Sequence, residues 1–388
     1  MKIRQLDADS AVSLPIQMYA FRASPVGAPL ENSQQYNEGN VTLVAEEDGA
    51  AVAAVSAIPM RQNVRGGVYP MAGVAGVATL PPARRQGHVR ALMLQLLGQM
   101  RESGHAVSAL YPFRPSFYGR FGYVGLPRTR TVSFSPTCFA DLLRADLPGE
   151  VTWQSAEDGY TAYRDFAGSL LSARHGFSVF PDYRAVQLKA ADRWVVVARA
   201  GGEAIGAVTY RITGFGGTLE ADDLLTASPL GRALLLQFFA RHIDQVSEIR
   251  VQVGADELPE LWATDMAAVS EAVTAFPDSS APMGRVLSLT GLGGLRAGKE
   301  RVTVEVADDP FIAGRYLLDG TSGSLEVTAG VTSAAEATLS AAGLSALVYG
   351  VLDPDDLVIR GLGDVPPEAG AKLRVLFARE VPYLYSRF

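Results

Sequence analysis

The stretch TLPPARRQGHVRALMLQLLGQMR, residues 79–101, contains the features that decide the fold. Apolar residues spaced three and four apart predict an amphipathic helix over 89–102, which Gly104 ends. The partly β-branched apolar run 68–80 predicts a strand before this helix, and the run 106–113 predicts a strand after it. A strand, a helix and a strand in this order predict two parallel strands joined by a crossover.

The turn between the first strand and the helix is basic and contains a glycine. A helix start presents unpaired N–H groups and the positive end of the helix dipole, and both favour an anion. Arg84, Arg85 and Arg90 add positive charge that suits phosphate oxygens, and Gly87 lets a ligand approach the backbone. The turn therefore predicts a diphosphate site. The alternative without a ligand is that these residues are simply the basic first turn of a surface helix. It matches neither the Walker nor the Rossmann glycine pattern.

The rest of the first third predicts a mixed sheet. A strand over 1–6, a helix over 11–21 and a hairpin over 41–62, turning at 47–49, precede the crossover. A short helix or turn and a last strand, over 114–126, follow it. From residue 147 the order starts again, with a helix over 162–176, a hairpin over 193–213, a strand over 217–228, a helix over 229–244 and a strand over 247–254. This repetition indicates a duplicated fold.

The second copy differs from the first at the turn before its helix. Residues 227–231, ASPLG, contain no arginine, and the strand before them ends in the acidic run EADD, 220–223. Acidic side chains at this place would repel a diphosphate, so we expect the second copy to bind none.

The last hundred residues predict a third domain of the α+β class. Helices are predicted over 341–352 and 367–378, and short strands over 299–311, 314–320, 323–330, 335–340 and 356–361. We expect its boundary within 277–284. The sequence thus predicts a mixed α/β chain with mainly antiparallel sheets, divided into domains 1–146, 147–284 and 285–388.

Composition narrows the class of protein. The chain has 388 residues, of which 48% are hydrophobic and 19% charged, which is typical of several folded domains. The net charge of −7 argues against a nucleic-acid partner. A single cysteine and four scattered histidines predict neither a disulfide nor a metal site. The start of the chain has no signal-peptide pattern and no apolar run reaches membrane-spanning length, so we expect a cytoplasmic protein without a membrane partner.

Two motifs resemble the GNAT acetyltransferases, and more closely their Eis (enhanced intracellular survival) branch. The segment VAGVATL followed by RRQGHVR resembles the acetyl-CoA-binding segment of the family, Arg/Gln-x-x-Gly-x-Gly/Ala. Val89 departs from its last position, whereas Arg90 fits the Arg-Arg-x-Gly-x-x-Arg of the Eis branch. The segment PSFYGRFGY, 115–123, resembles the Eis segment after strand five. The layout is similar along the whole chain: a GNAT unit, a degenerate second GNAT unit and a domain like sterol carrier proteins.

The resemblance implies an acetyl-CoA site around the basic turn, with no metal. The backbone of Val77, Ala78 and Thr79 would pair with the pantetheine arm where strands four and five splay apart. Phe113 and Arg114 would border the same splay. The diphosphate would lie against the turn, with the His88 ring in solvent; the residues implied there are Arg84, Arg85, Gln86, Gly87, His88, Val89 and Arg90.

The resemblance also implies the catalytic groups. Tyr118 matches the family's general acid, and the C-terminal carboxylate, here on Phe388, matches its general base. A phenol, with a pKa of about 10, can protonate a leaving thiolate, whose pKa is about 8.5. A carboxylate with a pKa of about 3.5 is a weak base for an ammonium group, so Phe388 is expected to position the amine as much as deprotonate it. Arg387 stands where the family often has an acid, and it would disfavour a cation nearby.

The function that the resemblance implies is acetyl transfer from acetyl-CoA to a primary amine. The acceptor would be a small cationic amine, such as an aminoglycoside or a polyamine, or a lysine side chain. A homo-oligomer, a hexamer by resemblance, is expected. Two alternatives remain: an acetyltransferase for protein N-termini or lysines, and a lipid or apolar-ligand binder whose acyltransferase half is vestigial.

Overall fold

The structure is a computed structural model, and it describes residues 1–7, 10–22, 38–181, 192–275, 280–385 and 387–388. The chain forms two compact units. The first comprises Met1–Leu126, His175–Arg184 and Phe276–Phe388, and the second comprises Pro127–Arg174 and Ala185–Ala275. None of the helices among the described residues is both long and apolar enough to cross a lipid bilayer.

The secondary structure follows the predicted order along most of the chain. The helices are α1 Leu14–Arg22, α2 His88–Glu102, α3 Pro115–Gly119, α4 Ala156–Leu170, α5 Pro229–Ala240, α6 Ala341–Val348, α7 Pro354–Ile359 and α8 Pro367–Leu376. The strands are β1 Lys2–Leu6, β2 Val41–Glu47, β3 Ala50–Val64, β4 Gly67–Thr79, β5 Val107–Leu110, β6 Val124–Gly125, β7 Arg130–Phe134, β8 Glu150–Ser155, β9 Ser178–Val179, β10 Trp194–Ala200, β11 Glu203–Ile212, β12 Thr218–Asp223, β13 Leu225–Thr226, β14 Glu248–Val253, β15 Ala268–Glu271, β16 Met283–Val286, β17 Arg301–Ala307, β18 Gly314–Asp319, β19 Glu326–Ala329, β20 Ala337–Ser340 and β21 Gly363–Asp364.

The first unit is built on a mixed sheet of eight strands. Its order is β1-β2-β3-β4-β5-β16-β6, with β9 paired to β3. The predicted hairpin of β2 and β3 turns at Asp48 and Gly49, both with left-handed backbone angles. The predicted crossover is confirmed, because β4 and β5 are parallel neighbours and α2 connects them. The buried side of α2 packs on this sheet through Leu92, Met93, Leu96, Leu97 and Met100.

The same unit contains a second sheet of five strands, in the order β19-β18-β17-β20-β21, and the helices α6, α7 and α8. The predicted strand over 356–361 is wrong, because most of this stretch lies in helix α7. Asp353 accepts a hydrogen bond from the start of the helix, Asp356 returns one to the backbone of Asp353, and Pro354 occupies the first turn. This capping box and the fixed proline angle start a helix where a short β-branched run predicts a strand.

The second unit repeats the mixed sheet. Its order is β15-β7-β14-β12-β11-β10-β8, with β13 paired to β11. The parallel pair β12 and β14 flanks helix α5 in sequence, as β4 and β5 flank α2. Helix α4 begins at Ala156, earlier than predicted, because the Ser155 side chain caps it by accepting a hydrogen bond from Asp158 N–H.

The pairing of strands does not follow the predicted domain boundaries at residues 146 and 284. Residues 130–134 fall within the first predicted domain, but they form strand β7, which lies between β14 and β15 of the second sheet. Strand β16 spans the second predicted boundary and lies between β5 and β6 of the first sheet. Both exchanges arise from pairing between strands distant in sequence, which local patterns do not encode.

Candidate active site

The site begins where strands β4 and β5 part. Their parallel pairing extends from Met71 to Val74 on β4 and ends at Leu110 on β5. Beyond Ala75, β4 contains a bulge against β3 at Gly76 and Val77, and Gly76 has a left-handed φ of 62°. The predicted residues Ala78 and Thr79 pair with β3 past this bulge, and they and Val77 all lie beyond the pairing with β5. The backbone edge that faces β5 is therefore open to a ligand in this segment.

The start of helix α2 has no side-chain cap. Gly87 precedes the helix with φ 87°, and the first turn contains no acidic residue. A Cβ on Gly87 would meet no atom within 4 Å, so its left-handed angle, and not crowding within the chain, explains the glycine. Helix geometry leaves the first N–H groups without an intrahelical acceptor. An anion would find these donors together with the positive end of the helix dipole.

The three arginines of the turn all have exposed side chains. Arg84 Nε donates to the Thr79 carbonyl oxygen at 3.3 Å, which joins the basic turn to the end of β4. Arg85 has φ 64°, a left-handed angle that is uncommon for a residue with a side chain. Gln86 Nε2 donates to the Pro82 carbonyl at 3.1 Å, and Val89 packs against the core under the sheet. Hydrogen bonds from the Arg84 and Gln86 side chains to nearby backbone oxygens thus hold the turn, and its three arginines remain exposed.

His88 differs from its prediction. Its ring is buried, with 3% of its surface exposed, so the predicted solvated ring is wrong. Nδ1 lies 3.1 Å from Met1 Sδ, and Nε2 lies 3.2 Å from Glu47 Oε1 without the alignment of a hydrogen bond. The ring folds against the end of the β2–β3 hairpin because that position of the first helical turn faces the sheet. A backbone contribution of His88 to a ligand stays a prediction.

Tyr118 lies on the short helix α3, just past β5, and only 2% of its surface is exposed. Its ring makes edge contacts with Phe113 and Phe117, at centroid distances of 5.5 and 5.1 Å. Burial raises the pKa of Tyr118 well above its usual value, and Tyr123 adds to the rise. Among the described residues, none forms a hydrogen bond with the Tyr118 hydroxyl. A buried phenol that stays protonated and has no protein acceptor is suited to donate to a ligand.

A second tyrosine, Tyr123, is the last residue of the segment PSFYGRFGY. Its hydroxyl lies 2.7 Å from Ser108 Oγ, which donates to the Ala72 carbonyl at 2.7 Å. Burial raises the pKa of Tyr123 to about 12, although the Ser108 hydrogen bond and the charge of Arg285 oppose the rise. Because its hydroxyl is engaged within the protein, Tyr123 has a structural role, in contrast to Tyr118.

Phe113 and Arg114 lie between β5 and α3, as predicted. The Phe113 ring is 45% exposed and covers one side of Tyr118. Arg114 has an extended backbone and accepts the first hydrogen bond of α3, from Phe117 N–H, at 3.1 Å. Phe113 is therefore a solvent-facing wall beside the parted strands, and Arg114 sets the start of the helix that holds Tyr118.

The ring of Phe388 lies on β4, at the point where the strands part. A Cβ on Gly73 would come within 2.7 Å of Met60 Sδ and 3.2 Å of the Phe388 ring, so a side chain there would have to displace these neighbours. Tyr111, one residue past β5, contacts the Phe388 ring edge-on at 5.6 Å, and Phe180 contacts it at 6.2 Å. The structure therefore brings Phe388 to the end of the β4–β5 pair, from a position more than two hundred residues away in sequence.

Comparison with known protein families identifies the two sheet-forming regions. Residues 3–125 match a family described as "Acetyltransferase (GNAT) domain", and residues 181–286 match a second family with the same description. The chain therefore contains two acetyltransferase domains of the GNAT family. This confirms the predicted fold class of two tandem GNAT units with mixed sheets.

Relatives and solved structures agree with this assignment. An uncharacterized N-acetyltransferase of Streptomyces avermitilis is 28% identical over 248 residues, which are 59% of this chain and 59% of that protein. The N-acetyltransferase Eis of Mycobacterium tuberculosis is 43% identical over 56 residues, 14% of each chain. The chain thus matches less than two thirds of the length of these curated relatives.

Two crystal structures share the fold along the whole chain. A GCN5-related N-acetyltransferase from Anabaena variabilis superposes with a TM-score of 0.83 at 19% identity and covers 100% of both chains. Eis1 from Mycobacterium abscessus superposes with a TM-score of 0.82 at 20% identity, also over 100% of both chains. At these identities the likeness shows the fold. The sterol-carrier-like character of residues 285–388 stays a prediction.

Proposed function

We propose that the protein is an acetyl-CoA-dependent N-acetyltransferase that acetylates a primary amine in its first unit. The observation that carries this proposal is the open end of the β4–β5 pair beside the uncapped, basic start of α2. Acetyl-CoA is the cosubstrate of GNAT acetyltransferases. Its pantetheine arm suits the open end of the strand pair, and its diphosphate suits the basic helix start. The parted strand edge would pair with the amides of the arm, and the helix start would bind the diphosphate.

The proposed acetyl-CoA contacts are those of the predicted set. Val77, Ala78 and Thr79 would offer backbone groups to the arm, and Phe113 would cover it from the side of β5. Arg84, Arg85 and Arg90 would form charge-assisted hydrogen bonds with the diphosphate, which also receives backbone N–H groups from the first turn of α2. Gln86, Gly87, His88 and Val89 would contribute backbone atoms, since the side chains of Gln86, His88 and Val89 are engaged within the chain.

The reaction follows from these groups. The neutral amine nitrogen attacks the thioester carbonyl carbon, and a tetrahedral oxyanion forms beside the bulge of β4, where a backbone N–H near Thr79 would stabilise it. The carbon–sulfur bond then breaks, and the amine, now acetylated, loses a proton. The sulfur leaves as a thiolate that takes a proton from the Tyr118 hydroxyl.

Tyr118 is the proposed proton donor because the residue is buried and none of the described residues forms a hydrogen bond with its hydroxyl. Its raised pKa keeps the phenol protonated at neutral pH, but it also makes release of the proton harder. Proton transfer is therefore expected to occur together with cleavage of the carbon–sulfur bond, since a thiolate desolvated in the same site is a stronger base than one in water.

Phe388 is the proposed group that contacts the amine substrate. Its ring lies against Gly73 at the end of the paired strands, so a carboxylate on this residue would be near the place where an amine must approach. Such a group would hold the amine and accept its proton. Arg387 beside it is exposed and would weaken the attraction for polycations, which favours acceptors with few positive charges.

The decisive experiment is a panel of amines and peptides with acetyl-CoA, with release of the free thiol as the readout. Small amines, polyamines, aminoglycosides and lysine peptides separate the acceptor classes. Tyr118→Phe is expected to lower kcat about a hundredfold with little change in the affinity for acetyl-CoA. Tyr123→Phe is the matched control: it loses a structural hydrogen bond and should keep most of its kcat.

Two further outcomes decide the other parts of the proposal. A two-glycine extension after Phe388 should impair turnover, whereas the same extension at the N-terminus should not. If saturating acetyl-CoA leaves the unfolding temperature unchanged, the acetyl-CoA site is wrong and a lipid ligand becomes the better hypothesis.

The mass of the protein in solution tests the expected hexamer.

A further inference from the structure

Arg285 is a buried arginine that the proposed reaction does not use. It lies on β16, between β5 and β6, and 1% of its side chain is exposed. Its Nη2 donates to both carboxylate oxygens of Asp309, at 3.2 and 3.1 Å, and Asp309 is also buried. Asp309 is held in turn by the backbone N–H groups of Phe311 and Ile312, at 2.9 and 3.1 Å. The charge of Arg285 is thus neutralised and its guanidinium is fixed in orientation.

The remaining donors of Arg285 bind backbone oxygens. Nε donates to the Val286 carbonyl at 3.1 Å, and Nη1 donates to the carbonyl of Phe121. Phe121 belongs to the turn that follows α3, and its own N–H donates to the Tyr118 carbonyl at 2.9 Å. Two hydrogen bonds therefore connect the Arg285 guanidinium with the backbone of the proposed proton donor.

The same turn is held from a second side. Gly122 has a left-handed φ of 77°, and a Cβ on it would lie 2.8 Å from the Ala341 Cβ and 3.4 Å from the Arg285 guanidinium carbon. Ser345 Oγ lies 3.3 Å from the Gly122 carbonyl oxygen. The backbone after Tyr118 thus has little space to shift between β16 and α6.

A buried ion pair is weak evidence for stability, because the two charges lose their hydration and well-packed apolar residues often replace such a pair without loss. What apolar residues cannot replace is the directed hydrogen bond to the Phe121 carbonyl. We propose that Arg285, with Asp309 as its counter-ion, is a positioning residue that fixes the turn after α3 and thereby the orientation of Tyr118. The expected effect on kcat rests on the proposed function, whereas the effect on the orientation of Tyr118 does not.

The test compares two buried arginines of the first unit. Arg65 is also buried, and it donates to the carbonyls of Val348, Leu347 and Ala378 at 2.7, 3.1 and 2.8 Å. Arg285→Lys and Arg65→Lys both keep a charge but lose the branched set of donors, so both should lower the unfolding temperature. Only Arg285→Lys should lower kcat, by at least about tenfold, with an unchanged KM for acetyl-CoA.

A double-mutant cycle isolates the pathway through Tyr118. If Arg285 acts by orienting this side chain, Arg285→Lys should lower kcat no further when Tyr118→Phe is already present. Additive losses of kcat in the double variant would overturn the proposal. Should Arg285→Lys fold poorly, Arg285→Met combined with Asp309→Asn removes both charges and leaves no buried unpaired ion.

A spectroscopic readout keeps the inference separate from the proposed function. With 3-fluorotyrosine at position 118 of the full chain, Arg285→Lys should shift or broaden the fluorine resonance, and Arg65→Lys should leave it in place. An unchanged resonance in a folded Arg285→Lys variant would refute the positioning role. If the wild-type protein acetylates no amine, the proposed function fails, and the fluorine resonance still decides whether Arg285 orients Tyr118.

Discussion

The two GNAT units start their central helices in opposite ways. In the second unit, Ser228 precedes α5, and its side-chain oxygen accepts a hydrogen bond from Gly231 N–H at 3.2 Å. In the first unit, Gly87 precedes α2 and provides no side-chain oxygen. A serine cap satisfies the donors that an anion would otherwise bind, whereas a glycine with a left-handed angle leaves them available. The same fold therefore has a closed helix start in one copy and an open one in the other.

The strands beside these helices are more alike. Strands β12 and β14 pair from Thr218 to Asp223, with an irregularity after Ala221, and β13 then continues beside β11. In the first unit β4 likewise leaves β5 after Val74 and continues beside β3. A Cβ on Gly231 would come within 2.1 Å of the Ile205 carbonyl oxygen, so α5 lies directly on its sheet. The helix start therefore distinguishes the two units, and an acetyl-CoA site is proposed for the first unit alone.

The acidic run of the second unit has basic partners. Glu220 Oε2 lies 2.7 Å from Arg211 Nη2, and Asp222 Oδ2 lies 2.8 Å from Arg193 Nη1. These ion pairs weaken the predicted repulsion of a diphosphate, so the serine cap is the stronger reason to expect none in the second unit.

Reversing charge at the open helix start should give the largest effect. Arg85→Glu with Arg90→Glu would replace two phosphate donors by anions, and each hydrogen bond to a charged group contributes about 1.5–3 kcal/mol. We expect the affinity for acetyl-CoA to fall about a hundredfold or more, as measured by calorimetry. The matched change in α5, Arg232→Glu, should leave this affinity unaltered; a comparable loss there would place a ligand in the second unit.

The units also differ in the charged groups that they bury. The first unit buries Arg65, Arg285 and His175, whereas no basic side chain among the described residues of the second unit is buried. Arg65 N–H donates to His175 Nδ1 at 3.0 Å, so Nε2 has the proton and donates to the Tyr349 carbonyl at 3.0 Å. Burial is the main reason that the pKa of His175 is lowered to about 4.

This histidine should make the first unit sensitive to acid. Below pH 6.5 the unfolded chain binds a proton that folded His175 does not bind until about pH 4, so stability is lost as the pH falls through this range. The free energy of unfolding should drop by about 2 kcal/mol between pH 7 and pH 5 from this group. Chemical denaturation of His175→Gln should show a flatter pH dependence; an unchanged slope would mean that folding does not lower the pKa of His175.

The smallest effect is expected at the capped helix start. Ser228→Ala removes the acceptor for Gly231 N–H and should cost about 1 kcal/mol of stability. The affinity for acetyl-CoA should stay at the wild-type value, because the proposed acetyl-CoA site lies in the first unit. Measurable binding of acetyl-CoA to a second site in this variant would show that the serine cap alone excludes it.

Local patterns predicted most elements and the outline of the site. The spacing of apolar residues predicted α2 almost to the residue, and the arginines with Gly87 predict an anion site. Where local cues conflicted, the prediction failed: the capping box at Asp353 outweighs the β-branched residues that follow it. The burial of His88 was also missed, because the face of a first helical turn that meets the sheet depends on tertiary packing.

The sequence by itself determined that the chain contains a strand, a basic glycine turn and a helix suited to an anion, because periodicity, turn chemistry and charge are local properties. Only the tertiary structure decided that β4 and β5 part at Val74, that Tyr118 is buried with no hydrogen bond to its hydroxyl from the described residues, and that Phe388 and Arg285 reach this region. These features depend on side chains brought together over hundreds of residues, and their geometry is set by packing and burial rather than by spacing along the chain.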